Sequence, residues 1–198
     1  MSRAPRRSTA LDLPKPAPLR GEAKLQAALE AFAVPVSGRV ALDVGAAAGG
    51  FTRVLLRAGA ARVYAVDAGH GQLLGSLRQD PRVVNLEATN LGSLDRVLVP
   101  DAVEVVTVDV SYLSLTDAVP QLRGVTLASG ADLLALVKPM FELHLGRAPV
   151  DAESVQAAAG RAAAGVAAAG WRVLGIVPSP VTGARGAPEM LLHARLAD

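Results

Sequence analysis

The stretch "LDVGAAAGGFT", residues 42–52, decides how the rest of the chain reads. An apolar run over 39–45 stops at Gly45, passes through three alanines and the pair Gly49–Gly50, and enters a helix predicted from about Phe51 to Arg57. Small residues let the backbone turn tightly, and a strand that feeds a helix is the repeating unit of a parallel sheet. A turn built for a dinucleotide would read G-x-G-x-x-G, and alanine at position 47 breaks that fingerprint. Taken alone, the loop also fits a plain βα turn.

Working outward, the same beat repeats. "RVYAVDAG" (62–69), "RVVNLEATN" (82–90), "VEVVTVDV" (103–110) and "ADLLALVKP" (131–139) read as further strands. Before the first strand, "GEAKLQAALEAF" (21–32) places Leu25, Ala28, Leu29 and Phe32 on one helical face. A short helix is expected around 71–78, another in "SLTDAVPQLRGV", and an Ala-rich helix over 151–169 with Asp151 as N-cap and Gly170 as its stop. "WRVLGIVPSP" and "EMLLHARL" follow with an eight-residue link (181–188), too short for a helical crossover, so they should pair antiparallel. The pattern predicts an α/β, doubly wound, mostly parallel seven-stranded sheet with an antiparallel last strand expected at its edge. Such a sheet resembles the Rossmann-like fold of S-adenosylmethionine methyltransferases.

In such sheets ligands sit outside the carboxyl ends of the strands. Asp43 and Gly45 end the first strand, Asp67 the second, Asp109 the fourth and Lys138 the fifth, while Glu189 opens the antiparallel last one. One rim therefore gathers a lysine and several carboxylates, which favours a site over a solvated edge. Lys138, in "LALVKPMFE" (134–142), must reach water, pair with a carboxylate or do chemistry. Asp67, roughly twenty residues beyond the glycine loop, suits an acid that holds ribose hydroxyls. Loop and acid together read as an adenosine site without a pyrophosphate, which suits S-adenosylmethionine better than NAD.

Composition sets limits. The chain has 198 residues, 51% hydrophobic but only 3% aromatic, and no cysteine. That excludes disulfides and Cys-based metal sites, and the scattered His70, His144 and His193 offer no ligand cluster, so no metal is expected. No uninterrupted apolar run of about 18 residues exists, and the N-terminus lacks the apolar core of a secretory signal, so a cytoplasmic protein without membrane contact is expected. Residues 1–20 carry five of the basic residues against Asp12 alone, with four prolines, and read as a disordered basic arm ahead of a domain over 21–198.

With "LDVGAAAGGFTRVLLRAGAARVYAVDAGHGQL", "LRQDPRVV", "VTVDVSYLSL", "LALVKPMFE" and "WRVLGIVPSPVTG" in this order, the chain resembles the TlyA/hemolysin-A branch of the FtsJ-like RNA ribose 2′-O-methyltransferases. The likeness runs from about residue 20 to the C-terminus. It implies a Lys–Asp–Lys–Glu tetrad at Lys24, Asp109, Lys138 and Glu189, and cofactor contacts at Asp43, Gly45, Gly49, Gly50, Phe51, Asp67 and Asn90. It further implies S-adenosyl-L-methionine as cofactor and RNA, as ribosomal RNA or ribosomal subunits, as partner. In that scheme Lys138 takes or steers the hydroxyl proton, Lys24 promotes it, and the two acids hold the amines.

Members of this branch carry an N-terminal S4 RNA-binding domain where this chain has its basic arm, so a partner that supplies RNA binding is a further expectation. After "KPMFE" the family has a segment like G-K-G-G-V-V-R-D, and here "LHLGRAPVDAESV" lacks its lysine. Two other readings stay open: a methyltransferase for a small hydroxylated molecule, and a non-catalytic cofactor- or RNA-binding, hemolysin-like protein.

Overall fold

The computed structural model describes residues 18–197. Most of the basic arm, residues 1–17, lies outside the described residues. The strands are β1 (Val40–Val44), β2 (Arg62–Val66), β3 (Val83–Leu86), β4 (Val103–Val108), β5 (Leu127–Val137), β6 (Trp171–Pro178) and β7 (Met190–Leu196). The helices are α1 (Arg20–Phe32), α2 (Gly50–Arg57), α3 (Gly75–Arg78), α4 (Leu115–Ala118), α5 (Pro139–Glu142) and α6 (Ala152–Ala168). One sheet holds all seven strands in the order β3-β2-β1-β4-β5-β7-β6.

The strand pleat separates two cores. Leu42, Val44, Leu133, Ala135 and Val137 face one of them, together with Ala158, Ala162 and Val166 of α6. Ala41, Val105, Leu134, Leu136 and Leu191 face the other, with Leu25 and Ala28 of α1 and Val54 and Leu55 of α2. Burial on both faces explains why β1, β4 and β5 read as continuous apolar runs rather than alternating ones.

One expectation needs correction. The last strand is antiparallel, but it does not lie at the edge: β7 sits between β5 and β6, pairing antiparallel with both. Its residues Leu191 to Ala194 are all buried, as an interior strand requires, whereas β6 after Trp171 has only partly buried and exposed positions. The crossover through α6 leaves one strand position open beside β5, and the 179–189 link folds the chain back into it.

The minor elements are shorter than expected. Only Gly75–Arg78 of the 71–78 segment is helical. In "SLTDAVPQLRGV", α4 gives way after one turn to a 3-10 helix over Val119–Gly124 that contains Pro120. Asp151 caps α6 as anticipated, its side chain accepting from the Ser154 N–H at 2.8 Å, and Gly170 follows the helix at φ +89°. Trp171 is buried in the core.

Candidate active site

Strand parity carries three charged residues to one place, and helix α1 adds a fourth. Asp109 continues the face of Val105 and Thr107, Lys138 that of Leu134 and Leu136, and Glu189 that of Leu191. Asp109 still belongs to the ladder, its N–H donating to the Val44 carbonyl at 2.9 Å, and Lys138 keeps an extended backbone before Pro139 starts α5. This is the face that α1 covers, and Lys24 projects from α1.

The result is two ion pairs along one cleft of about 690 Å³. Lys24 Nζ donates to Glu189 Oε2 at 2.6 Å, with both residues buried. Lys138 Nζ stands 2.6 Å from Asp109 Oδ1 and donates to Ser111 Oγ at 2.7 Å. The Lys138–Asp109 contact is ionic rather than an aligned hydrogen bond, so Asp109 Oδ1 has a cation against it but no donor directed at it.

Packing of α1 on α2 fixes Lys24. A Cβ on Gly50 would lie 3.1 Å from the Gly21 Cα, and one on Gly21 would lie 3.2 Å from the Phe51 ring, so the two helix starts meet through glycines. Glu22, also buried, pairs with Arg53 at 2.7 Å and with Arg57. Burial raises its pKa, but the Leu19 amide and the Arg57 and Arg53 guanidinium groups outweigh this and hold the carboxyl below its ordinary range. On the other side, buried Glu142 of α5 accepts from the Leu115 N–H and from Thr116 Oγ1, tying the element after Lys138 to the one after Ser111.

The glycine loop flanks these pairs. Gly45 has φ +87°, and a Cβ there would lie 2.4 Å from the Asp109 carbonyl oxygen. This close approach joins β1 to β4 where the strand order reverses, the place where open α/β sheets bind ligands. Ala47 has φ +45°, and its N–H donates to Asp67 Oδ2 at 2.8 Å. The Gly69 N–H donates to Asp67 Oδ1 at 2.7 Å, so the acid at the end of β2 braces the loop.

The expected cofactor residues divide into those on the cleft and those behind it. Gly45 lines the cleft with Ala47, and Asp67 holds the outside of their loop. Gly49, at φ +94°, is buried against Leu77 and Leu73, while Gly50 and Phe51 support α1. Asp43 has no exposed surface: Thr52 Oγ1 donates to it at 2.6 Å and Thr107 Oγ1 at 2.9 Å. Burial pushes the Asp43 carboxyl up to about 6 against the pull of both hydroxyls, and the Asp109 charge adds to the rise. Asn90 is exposed on the loop after β3 and does not line the cleft.

Sequence reasoning missed Ser111, although it stands two residues beyond Asp109, where an extended chain returns to the same face. It also missed Arg20, Arg147 and Arg185, which line the cleft from three separate segments.

The FtsJ-like methyltransferase family model matches residues 18–196. The chain belongs to that family. It is 44% identical over 185 residues to the 16S/23S rRNA (cytidine-2′-O)-methyltransferase TlyA of Mycobacterium tuberculosis, covering 89% of this chain and 67% of TlyA. A solved hemolysin-like protein from Streptococcus thermophilus superposes with a TM-score of 0.85 at 35% identity, covering 90% of this chain and 66% of that one. The chain thus spans about two thirds of the length of these FtsJ-like relatives. The fold is shared more widely: Aeropyrum pernix fibrillarin, solved with natively bound S-adenosyl-L-methionine, superposes with a TM-score of 0.58 at 16% identity. The TlyA/hemolysin-A resemblance and the methyltransferase fold are therefore both borne out.

Proposed function

We propose that the chain is an S-adenosylmethionine-dependent methyltransferase that modifies ribose 2′-hydroxyl groups of RNA, ribosomal RNA in particular. The observation that carries this reading is Lys138, held by Asp109 and Ser111 in the cleft beside the Gly45 turn. The likeness to TlyA supplies the substrate class.

The loop fits the cofactor: a side chain at Gly45 is excluded by the Asp109 backbone, and Gly45 and Ala47 present nearly bare backbone to the cleft. Gly45, Ala47 and Asp67 would hold it, over a floor built by Asp43, Gly49, Gly50 and Phe51, with Asn90 on the adjoining loop. S-adenosylmethionine, when bound, supplies an electrophilic methyl group on a positively charged sulfur.

The chain's own residues manage the proton. A neutral lysine amine keeps two hydrogens and one lone pair. Ser111 Oγ accepts one of these hydrogens and the Asp109 carboxylate lies 2.6 Å from the amine, so the lone pair is left for the 2′-hydroxyl proton as that oxygen attacks. After transfer the ammonium form is stabilised by the Asp109 carboxylate. Lys24, paired with Glu189, forms the facing wall of the cleft and orients the ribose.

The test is tritiated-methyl transfer to naked ribosomal RNA and to ribosomal subunits, with Lys138→Ala in parallel. Label in alkali-resistant dinucleotides from the wild type, lost in the variant while cofactor binding persists, supports the reading. Transfer to a small hydroxylated molecule with none to RNA overturns it. Among the described residues no helix is long and apolar enough to cross a membrane. A catalytic domain over 21–198, a basic arm before it, an RNA-binding partner and a cytoplasmic location complete the proposal.

A further inference from the structure

The two carboxylates that line the cleft, Asp109 and Glu189, are each matched by a lysine. Three guanidinium groups line the same cleft, those of Arg20, Arg147 and Arg185, and none has a carboxylate partner among the described residues. Unmatched positive charge in a concave surface concentrates anions there. We propose that Arg147 and Arg185, the latter on a turn braced by Arg20, clamp the phosphate backbone of an RNA strand across the mouth of the active site.

The turn that carries Arg185 is built for this. Arg185 has φ +56° and ψ +28°, a left-handed conformation that costs a residue with a side chain about 1 kcal/mol or more and persists only where the surroundings enforce it. The enforcement is visible. Arg20 donates to the Thr182 and Gly183 carbonyls, each at 3.2 Å, and the Gly183 N–H donates to the Ala187 carbonyl at 2.7 Å. A Cβ on Gly183 would meet Glu189 Oε1 at 2.2 Å, so the turn rests directly on the carboxylate that holds Lys24. The Arg185 side chain is therefore launched from a rigid platform that is continuous with the reacting groups. Because Arg20 spends its hydrogen bonds on neutral carbonyls, its charge still faces the cleft.

Arg147 comes from the opposite segment, the loop after α5, where "LHLGRAPVDAESV" replaces the lysine-containing stretch of the family pattern. It is exposed and makes no hydrogen bond to a described side chain or backbone group. Arginines distributed over two loops thus stand in for the lysine missing from that segment. Guanidinium groups suit phosphate because their forked donors match its oxygens in pairs.

This inference rests on the RNA reading, and the test separates the two. Binding of a labelled ribosomal RNA is measured by anisotropy across a salt series for the wild type, Arg147→Gln, Arg185→Gln and the double variant, alongside methyl transfer and cofactor binding. Each lost phosphate contact lowers the slope of log K against log salt by about 0.7–0.9, which near 0.15 M salt is roughly a four- to sixfold weaker affinity. The double variant should lose roughly 15- to 30-fold, in KM for RNA rather than in kcat, with cofactor affinity unchanged. Wild-type methylation of RNA with unaltered slopes and KM in the variants overturns the clamp and leaves the RNA reading standing. Reduced cofactor affinity with an unchanged RNA slope assigns the arginines to the cofactor's own carboxylate and also overturns the clamp. Absence of any RNA binding by the wild type removes both.

Discussion

Asp43 offers the sharpest physical test of the site's foundation. Its carboxyl is wholly buried, and burial raises its pKa from the ordinary 3.8 to about 6. A group whose pKa is higher in the folded state holds its proton more tightly there. Its contribution to stability is therefore complete below pH 3.8 and is lost as pH rises through about 6. At about 1.4 kcal/mol per pH unit, the interval from 3.8 to about 6 corresponds to a loss of about 3 kcal/mol. For a domain of this size that is roughly 6–12 °C in Tm.

Asp43→Asn removes the titration and keeps the shape. One threonine hydroxyl still donates to the amide oxygen. The other must turn away from the amide nitrogen, and Thr107 has the Leu42 carbonyl 3.5 Å away to receive it. Urea unfolding of both proteins from pH 4 to pH 8 gives two stability curves. The variant's advantage over the wild type should grow by about 2.5 kcal/mol across that range and level off above about pH 7. A fixed offset reflects packing alone and leaves the argument intact only if this slope sits on top of it. Parallel curves would refute the reasoning, because they would mean that the Asp43 carboxylate ionises without cost in its buried setting.

Three further outcomes are expected. Gly45→Ala forces a side chain into a left-handed position against the Asp109 carbonyl, so the variant should lose about 1–3 kcal/mol in thermal unfolding and fail to bind S-adenosylmethionine in calorimetry. Ser111→Ala should lower kcat about tenfold and shift the pH–rate profile while leaving cofactor affinity intact, and Ser111→Thr should restore both. Asp132→Ala should destabilise by about 3–5 kcal/mol without changing kcat: its buried carboxylate receives Arg39, His193 and Arg195, midway along β5 and away from the cleft that Lys138 lines.

Much of this was legible in the chain because strand ends announce themselves. Asp67, Asp109 and Lys138 each interrupt an apolar run, and a parallel sheet must deliver such residues to one rim. The position of β7 was not legible. An eight-residue link fixes antiparallel pairing with β6 but does not say on which side of β6 the returning strand lies, and only burial on both faces of Leu191–Ala194 decides it. The depth of the family's cofactor set was not legible either. Gly49, Gly50 and Phe51 share a motif with Gly45, yet the helix start turns them toward Leu77, Gly21 and the core.

Lys24 marks where local reading stops and packing takes over. Within α1 it is one lysine on an amphipathic helix, and nothing near it in the chain separates a solvated residue from a buried one. What buries it is the contact of Gly21 with Gly50 and Phe51, which sets α1 across the start of α2, and the Glu22 pairs with Arg53 and Arg57, which hold it there. Strand parity then does the rest. Asp109, Lys138 and Glu189 occupy even steps along their strands from Val105, Leu134 and Leu191, which all face α1 and α2. Had β7 run parallel, Glu189 would have emerged at the opposite edge of the sheet, and Lys24 would have been a buried ammonium without a partner, a state that costs several kcal/mol. The antiparallel insertion of β7 is thus the step that turns an ordinary parallel-sheet rim into a site with two lysines, each held by its own carboxylate.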